Sequence, residues 1–404
     1  MKKLLLLPLG FIILFIYLYY LSQVEIRIIP PVLLPQNPPG YYDYRGVTHA
    51  HANFDIGSGT LSHVVSAAKE ARLDFLFVTV LDKFPYPTDF QSYQEGVLVL
   101  AAGEYSYLDS HILYFPTTSV PDFTNLGQAQ VFMTDLLTQN NRDLESGILV
   151  LAHPLRPGYS WEGDDLSGLN GSEVVNLKSI WESSQQNSPM RFLWSTLIYP
   201  FNSNLAFLRT YNIPEPEETL WDQFNSRNDN RLSLGFVGNN STATAVVFTQ
   251  TKIKFPEYTV SFSLASNHIL LESELTGDFA KDRRKVMRAL TQGRFYLALD
   301  LLADPKGFFA QITDGNTHYP MGSRINYRTG QIFHVELPAQ PIVPFEVLLY
   351  RNGVIWKRHT SVSIKEVIPS PGVYRAVVRV KPKLPFPDGE KWIHWIYSNP
   401  FRLR

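Results

Sequence analysis

Histidine and glutamate residues stand at the ends of several apolar runs in this sequence, where they can act as metal ligands. They are His49 and His51 after residues 46–48, Glu104 after residues 97–103, His111 before residues 112–115, and His153 after residues 148–152. The run 235–238 ends in Asn239 and Asn240, whose amide oxygens can coordinate a hard cation. Imidazole and carboxylate are ligands for zinc, manganese and iron. The pattern therefore predicts a divalent metal site, with a packed strand histidine as the alternative, most of all at His111.

The spacing of these residues indicates two metals rather than one. His49 and His51 are two residues apart, so on a strand both side chains point to one face. Glu104 can bridge two metals through its two oxygens, while His111 and His153 complete the second site. Paired metals activate a bound water for an in-line displacement at phosphorus. We therefore predict catalytic roles for Glu104 and for Arg156, which follows His153 closely and can hold a phosphate oxygen.

The elements that must position these residues alternate between strand and helix. Short apolar runs ending in polar residues are typical of buried parallel strands, whose carboxyl ends carry the chemistry of a (β/α) barrel. Helices are predicted over residues 61–71, 124–140, 189–212 and 278–292. This alternation predicts a parallel sheet or barrel over residues 44–300.

The pattern changes near residue 300, after which short alternating strands follow one another. Strands are predicted over residues 307–313, 331–337, 345–350, 373–380 and 392–397. Asn352-Gly353 and Asp388-Gly389 are turn pairs typical of hairpins. Residues 301–404 are therefore predicted to form a β-sandwich.

The amino terminus predicts a membrane anchor. An uncharged apolar run, residues 4–21, follows Lys2 and Lys3, which are expected to stay in the cytoplasm as residues 1–3. No small-residue cleavage site follows, which favours an uncleaved single-pass anchor over a cleaved signal peptide. A proline-rich linker, residues 22–43, then leads to a body expected outside the cytoplasm, in the periplasm or at the cell surface.

The composition excludes several classes of site. Basic and acidic residues balance at 36 and 37, so the whole chain gives no electrostatic reason to expect nucleic acid as a partner. The chain has no cysteine, which excludes disulfides, thiolate metal sites and cysteine nucleophiles. A metal must therefore be held by histidine, carboxylate and amide oxygen.

These motifs resemble the PHP (polymerase and histidinol phosphatase) domain family, and most of all its CehA/McbA-like subgroup with a C-terminal β-domain. The motifs that carry the resemblance are residues 44–51, Gly103-Glu104, His111, Ala152-His153-Pro154, residues 171–176, Leu220-Trp221-Asp222, Gly238-Asn239-Asn240, residues 293–296 and residues 397–400. The resemblance implies a distorted (β/α)7 TIM-like barrel and hydrolysis of a small phosphate ester. It also implies one metal on His49, His51, Glu104 and a carboxylate on the last strand, and another on Glu104, His111 and His153.

The sequence departs from the family where a third metal would bind. Ser58 and Leu81 stand at two ligand positions, and the late Asp-x-His has become Asn240 with Thr242 or Asn239 with Ser241. The third site is therefore expected to be lost, leaving up to two divalent ions of zinc, manganese or iron. Two functions stay open: a dinuclear metal-dependent hydrolase, or a catalytically impaired scaffold that binds a ligand or protein at the cell surface.

Overall fold

The computed structural model describes residues 2–31, 36–84, 87–117, 123–138, 147–161, 168–227, 231–247, 251–253 and 255–404. The helices in these ranges are α1 (Lys2–Ser22), α2 (Leu61–Glu70), α3 (Leu126–Thr138), α4 (Leu177–Asn187), α5 (Pro189–Ile198), α6 (Ser203–Thr210), α7 (Glu215–Arg227), α8 (Tyr258–Leu264) and α9 (Phe279–Thr291). The strands of the first part of the chain are β1 (Tyr42–Ala50), β2 (Phe75–Leu81), β3 (Ser92–Gln94), β4 (Val97–Tyr107), β5 (Ser110–Phe115), β6 (Ile148–Ala152), β7 (Gly171–Asn176), β8 (Leu234–Gly238), β9 (Ala245–Val247), β10 (Thr251–Ile253), β11 (Ser266–Leu271) and β12 (Phe295–Ala298). Those of the second part are β13 (Phe309–Asp314), β14 (Thr317–Pro320), β15 (Arg324–Ile325), β16 (Ile332–Glu336), β17 (Phe345–Arg351), β18 (Val354–His359), β19 (Ser363–Val367), β20 (Gly372–Val380), β21 (Lys383–Leu384), β22 (Gly389–Glu390), β23 (Ile393–Ser398) and β24 (Phe401–Leu403).

Capping residues explain where two predicted helices begin. The Thr60 side chain accepts from the His63 amide at the start of α2, and the Asp278 side chain accepts from the Lys281 amide at the start of α9. The helix predicted over residues 189–212 is two helices, α5 and α6, because the chain turns before Asn202 begins α6 as its cap. Residues 139–140 of another predicted helix lie outside the described residues.

Seven strands of one large sheet form a ring in the order β1-β2-β4-β5-β6-β7-β8. The ring closes through a parallel bridge between Ala50 and Ser241. Phenylalanine side chains fill its interior, among them Phe77, Phe115 and Phe236. This is a packed core like that of a barrel, with its polar residues at the carboxyl ends of the strands.

The ring is less regular than a (β/α)7 barrel because β5 runs antiparallel to both β4 and β6. A tight turn at Leu108, with φ of 52°, joins β4 to β5 directly. The strand order continues past β1 through β11 and β12 to β23 and β20, so the sheet crosses residue 300 without a break. The predicted architecture is confirmed as a mixed α/β chain with a large sheet and a separate C-terminal sheet, while the domain boundaries stay predictions.

The separate sheet has the order β14-β13-β16-β19 and packs on the C-terminal strands of the large sheet. Phe333 on β16 contacts Tyr374 on β20 and Phe401 on β24, with ring centroids 6.4 and 5.4 Å apart. Asn352 and Gly353, both with left-handed φ, form the predicted turn between β17 and β18. Seven further strands in this part of the chain were not predicted, and most of them are only two to four residues long: β14, β15, β18, β19, β21, β22 and β24.

The N-terminal helix and the segment after it lie against the body of the protein. Leu18 and Leu21 on α1 are buried, and Ile28 in the linker is fully buried, with its carbonyl accepting from the Ile342 amide. The described part of the predicted linker is therefore packed rather than free. In the part of the chain that the structure describes, no helix has the length and apolar character needed to cross a membrane.

Candidate metal centre

Strand register directs the predicted ligands to one place at the carboxyl end of the ring. Glu104 shares the inner face of β4 with Leu98, Leu100 and Ala102, which lie in the core. His111 shares the inner face of β5 with Leu113 in the same way. The two-residue alternation of the strands thus places the carboxylate and the imidazole directly above the apolar core.

The three histidines on the parallel strands reach the same place through local irregularities. The pairing of β1 with β2 shifts register between Val47 and Ala50, just where His49 lies. His153 follows β6 with a left-handed φ of 30°, which is unusual for a residue with a side chain. The four predicted histidine ligands and Glu104 are buried, and His111 is the most exposed of them at 8%.

The first group consists of His49, His51 and Glu104. The Nε2 atoms of the two histidines are 3.1 Å apart. They lie 3.2 and 3.1 Å from Oε2 of Glu104. Ligands at zinc distances in a tetrahedral site stand roughly 3.4 Å from one another, so this triangle is close to the size of a metal site.

The second group shares Glu104 with the first. Its other oxygen, Oε1, lies 2.7 Å from Nδ1 of His111 and 3.4 Å from Nε2 of His153. Each group therefore brings three ligand atoms within 4.8 Å of one another. The two oxygens of one carboxylate face two separate histidine pairs, which is the arrangement of a bridging ligand.

Glu173 orients two of the histidines from behind. Its Oε1 accepts from Nδ1 of His49 at 2.7 Å, and its Oε2 accepts from the His153 amide at 2.8 Å and from the Asn176 side chain at 2.7 Å. A Cβ at Gly238 would stand 2.0 Å from Oε1 of Glu173. Only glycine at this position leaves room for the carboxylate, which fixes the His49 ring as a neighbouring carboxylate does in many metal sites.

Asp55 fixes the orientation of the ring of His51, the other histidine of the first pair. Its Oδ2 accepts from Nδ1 of His51 at 2.7 Å and from the Leu81 amide at 2.9 Å. The family resemblance placed two lost ligand positions at Ser58 and Leu81 and assigned no role to Asp55. Ser58 instead donates to the Ala243 carbonyl. An acidic residue four positions after a ligand histidine was the available signal.

The charges of the cluster favour a positive species at its centre. Burial disfavours an imidazolium at His49, but the carboxylates of Glu173 and Glu104 outweigh burial and raise the pKa of His49 to about 10. Burial also disfavours a carboxylate at Glu104, yet His49 and the hydrogen bonds of His111 and His153 hold the pKa of Glu104 well below its usual range. Burial lowers the pKa of His153, which is thereby kept neutral.

This donor set fits a divalent metal. In the neutral rings of His49 and His51 the other N–H is used by a carboxylate, so the nitrogens that face Glu104 are acceptors, as are both oxygens of Glu104. Acceptors at these distances need a cation between them, either a proton or a metal ion. Nδ1 of His153 has no hydrogen-bond partner among the described residues, so this ring is held less firmly than the others.

Arg156 lies at the edge of the cluster and is already engaged. Its guanidinium forms a two-pronged ion pair with Glu182, at 2.7 and 2.9 Å, and stands 4.9 Å from the Tyr159 ring centroid. Tyr159 contacts the rings of His111 and His153 edge-on, at 5.0 and 5.9 Å. Burial and the nearby Arg156 lower the pKa of Lys178, another cation at this edge. Sequence reasoning missed Tyr159 and Lys178, which have no motif of their own.

Asn239 and Asn240, the two asparagines that follow β8, lie near His49 and His51 in the folded chain. The Asn239 amide donates to the carbonyls of Ser261 and Ala265, on the side of α8, while its own oxygen is buried without a partner among the described residues. Asn240 is buried and has a left-handed φ of 45°. Their assignment as metal ligands stays a prediction.

Comparisons with known proteins give little further information. No protein-family model matches the chain, and no curated protein matches it. Among solved structures, it is similar to a two-domain protein from Bacteroides vulgatus ATCC 8482 described as containing a predicted PHP-like metal-dependent phosphoesterase. The identity is 12%, the match covers 92% of this chain and 98% of that one, and the TM-score is 0.32.

Proposed function

We propose that this protein is a PHP-type metal-dependent hydrolase that acts on a small phosphate ester. The observation that supports the proposal most is the buried Glu104 carboxylate, whose two oxygens each meet a separate pair of histidines. That arrangement suits two divalent ions of zinc, manganese or iron, with the third site of the family lost. Such ions, when bound, activate water and offset the charge of the phosphate.

Residues of the chain are proposed to bind the ions, to orient the histidine rings and to bind the phosphate. His49, His51, His111 and His153 would hold the ions with Glu104, while Glu173 and Asp55 keep two of the rings in their orientation. Arg156 would hold a phosphate oxygen at the edge of the site. To do so it must share its guanidinium with Glu182, since both oxygens of that carboxylate are on it in this structure.

The proposal extends to the subgroup and the location of the protein. The resemblance favours the CehA/McbA-like subgroup, and the apolar residues 4–21 after Lys2 and Lys3 favour attachment to a membrane, with the body outside the cytoplasm. These parts rest on sequence alone. A small-molecule substrate is proposed, and the balanced charge of the chain gives no reason to add nucleic acid.

Activity against a panel of phosphate esters, in the presence of zinc or manganese, tests the proposal. Glu104→Gln removes the charge of the bridging ligand, and we expect it to reduce turnover by at least about 100-fold. His318→Ala changes an exposed histidine in the separate sheet and serves as the control. Equal turnover in the Glu104→Gln protein would contradict the proposal.

A scaffold without turnover is the second candidate. Four of the five ligand residues are almost completely buried, and Arg156 is occupied by Glu182. Both features fit a protein that keeps a structural metal but admits no substrate. Metal binding without hydrolysis of any ester in the panel would favour this candidate.

A further inference from the structure

The outer face of α1 is apolar and uncovered. Leu14, Tyr17, Leu18 and Leu21 face the body, whereas the other large side chains between residues 9 and 20 are exposed, as at Phe11 with 68%. Residues 9–21 carry no charge. An apolar face of this width on a surface helix calls for a covering partner.

A second exposed apolar stripe lies on α5. Met190, Leu193 and Leu197 follow one another at helical spacing and are all exposed, Met190 by 77%. Ser195 and Ile198 on the opposite side of the same helix are buried. The helix is therefore apolar on its outer face as well as on its inner one, which is unusual for a helix that faces water.

A third exposed apolar side chain is Phe386, in the turn between β21 and β22, with 81% exposure. The three features meet at Tyr17. The Tyr17 ring stacks on Trp194 of α5 with centroids 6.2 Å apart, and its hydroxyl donates to the Phe386 carbonyl. The α5 stripe and the Phe386 turn therefore flank α1 on the surface of the body.

Cationic side chains lie beside the same surface. Arg191 is exposed on α5 between Met190 and Leu193, whereas Arg209 is buried, stands 5.9 Å from the Trp194 ring centroid and pairs with Asp388. Aromatic side chains and arginines next to exposed apolar residues are typical of surfaces that lie in the headgroup region of a bilayer.

We propose that Met190, Leu193, Leu197 and Phe386, together with the outer face of α1, form one lipid-facing surface by which the body of the protein rests on a bilayer. We call this the docking surface. It rests on the proposed membrane attachment and is independent of the metal chemistry. The packed linker supports it, because Ile28 holds the chain after α1 close to the body instead of extending away from it.

A bilayer fits the docking surface better than a second copy of the chain does. The exposed residues come from two helices and a projecting turn, and those of α1 occupy more than a single stripe. A helix partner would cover one stripe of α1, whereas lipid covers apolar side chains at any angle, and Arg191 would meet anionic head groups.

The absence of cysteine allows a direct test with single labelling sites in the full chain. Leu193→Cys, Phe386→Cys, Ile13→Cys and the control Val354→Cys are each labelled with an environment-sensitive fluorophore. The proteins are placed in vesicles of phosphatidylcholine and phosphatidylglycerol. Val354 is 70% exposed on β18, a strand that pairs with β17.

We expect brominated lipid to quench the labels at positions 193, 386 and 13 and iodide in the water to leave them bright, with the reverse at position 354. If lipid quenches the label at position 13 while iodide quenches those at 193 and 386, the docking surface is contradicted. The membrane attachment would then still be supported. Iodide quenching at all four positions would overturn both. Disulfide cross-linking of Leu193→Cys between two copies would show that a second copy covers the surface instead.

Discussion

His49 and His51 each bind a carboxylate with one ring nitrogen and present the other to Glu104. The carboxylates of Glu173 and Asp55 therefore decide how the rings are turned and which nitrogen is free. Ring orientation set from behind in this way contributes to metal affinity even though neither carboxylate is a ligand.

Asp55→Asn is expected to weaken metal binding roughly 10- to 100-fold, because the amide is a weaker acceptor for the His51 N–H and does not increase the basicity of the ring. Competition with a chromogenic chelator measures the change. Glu366→Gln, on β19 far along the chain, serves as a matched loss of one carboxylate. An unchanged dissociation constant for Asp55→Asn would contradict the orienting role of Asp55.

The raised pKa of His49, about 10, makes metal binding depend on pH. Below that pH the ring carries a proton that a metal must displace, so affinity should rise with pH and binding should release a proton from His49. Calorimetric titration at pH 8 in two buffers with different ionisation enthalpies measures the release. Equal heats in both buffers would contradict this prediction, and Glu173→Gln should reduce the release by removing one of the two carboxylates.

The convergence of the four histidines and Glu104 could be predicted from the sequence because each stands at the end of an apolar run, and strand ends on one side of a sheet meet. The role of Asp55 was missed because it lies in a loop whose path no periodicity fixes, and its place four residues after His51 was the one signal in the sequence. The orienting role of Glu173 depends on the close approach of Gly238, a tertiary contact that the family-like segment 171–176 does not reveal.

The strands of the ring are tied to the rest of the large sheet by a second buried charge cluster. His268 on β11 lies 2.9 Å from Asp43 on β1 through Nδ1 and 2.9 Å from Asp300 through Nε2. Arg45 and Tyr296 also contact these carboxylates. Burial disfavours charge on His268, but Asp43 and Asp300 prevail and raise its pKa to about 10.

His268→Gln leaves the buried Asp43 without its imidazolium and Asp300 with Arg45 alone, and it is expected to lower the free energy of unfolding by about 3 kcal/mol. Because the folded pKa is raised above the ordinary 6.5, the contribution is complete below pH 6.5 and is lost as pH rises through about 10. Chemical denaturation at pH 6 and pH 10 should show a large difference from the wild type at the lower pH and a smaller one at the higher pH. A difference that grows with pH would contradict the imidazolium, and His318→Gln is the control.

Element types followed from the sequence where periodicity was strong, as in α2, α9, β4 and β20. The antiparallel direction of β5 could not be predicted, because the apolar runs on either side of residue 108 would have the same sequence pattern in a parallel and in an antiparallel pair. The break between α5 and α6 was also missed, since both helices are apolar and only the Asn202 cap marks the second start.

In the whole molecule the C-terminal strands support the ring. Arg375 on β20 forms a two-pronged ion pair with Asp222 on α7, at 2.9 and 2.6 Å, and His394 on β23 bonds Glu218 on the same helix at 2.8 Å. Asn399 accepts from the Gly235 amide on β8 at 2.7 Å. C-terminal residues therefore stabilise β8, the strand that carries Gly238. The prediction of two separate domains with a boundary at residue 300 does not include this contact.

Metal content of the full chain is the most direct test of the account. Elemental mass spectrometry should find about two divalent ions per chain in the wild type and in His318→Ala, and a loss of these ions in His49→Ala/His153→Ala. Each group would then have lost one of its histidines while Glu104 remains. No metal in the wild type, even after incubation with zinc or manganese, would contradict both the metal centre and the hydrolase built on it.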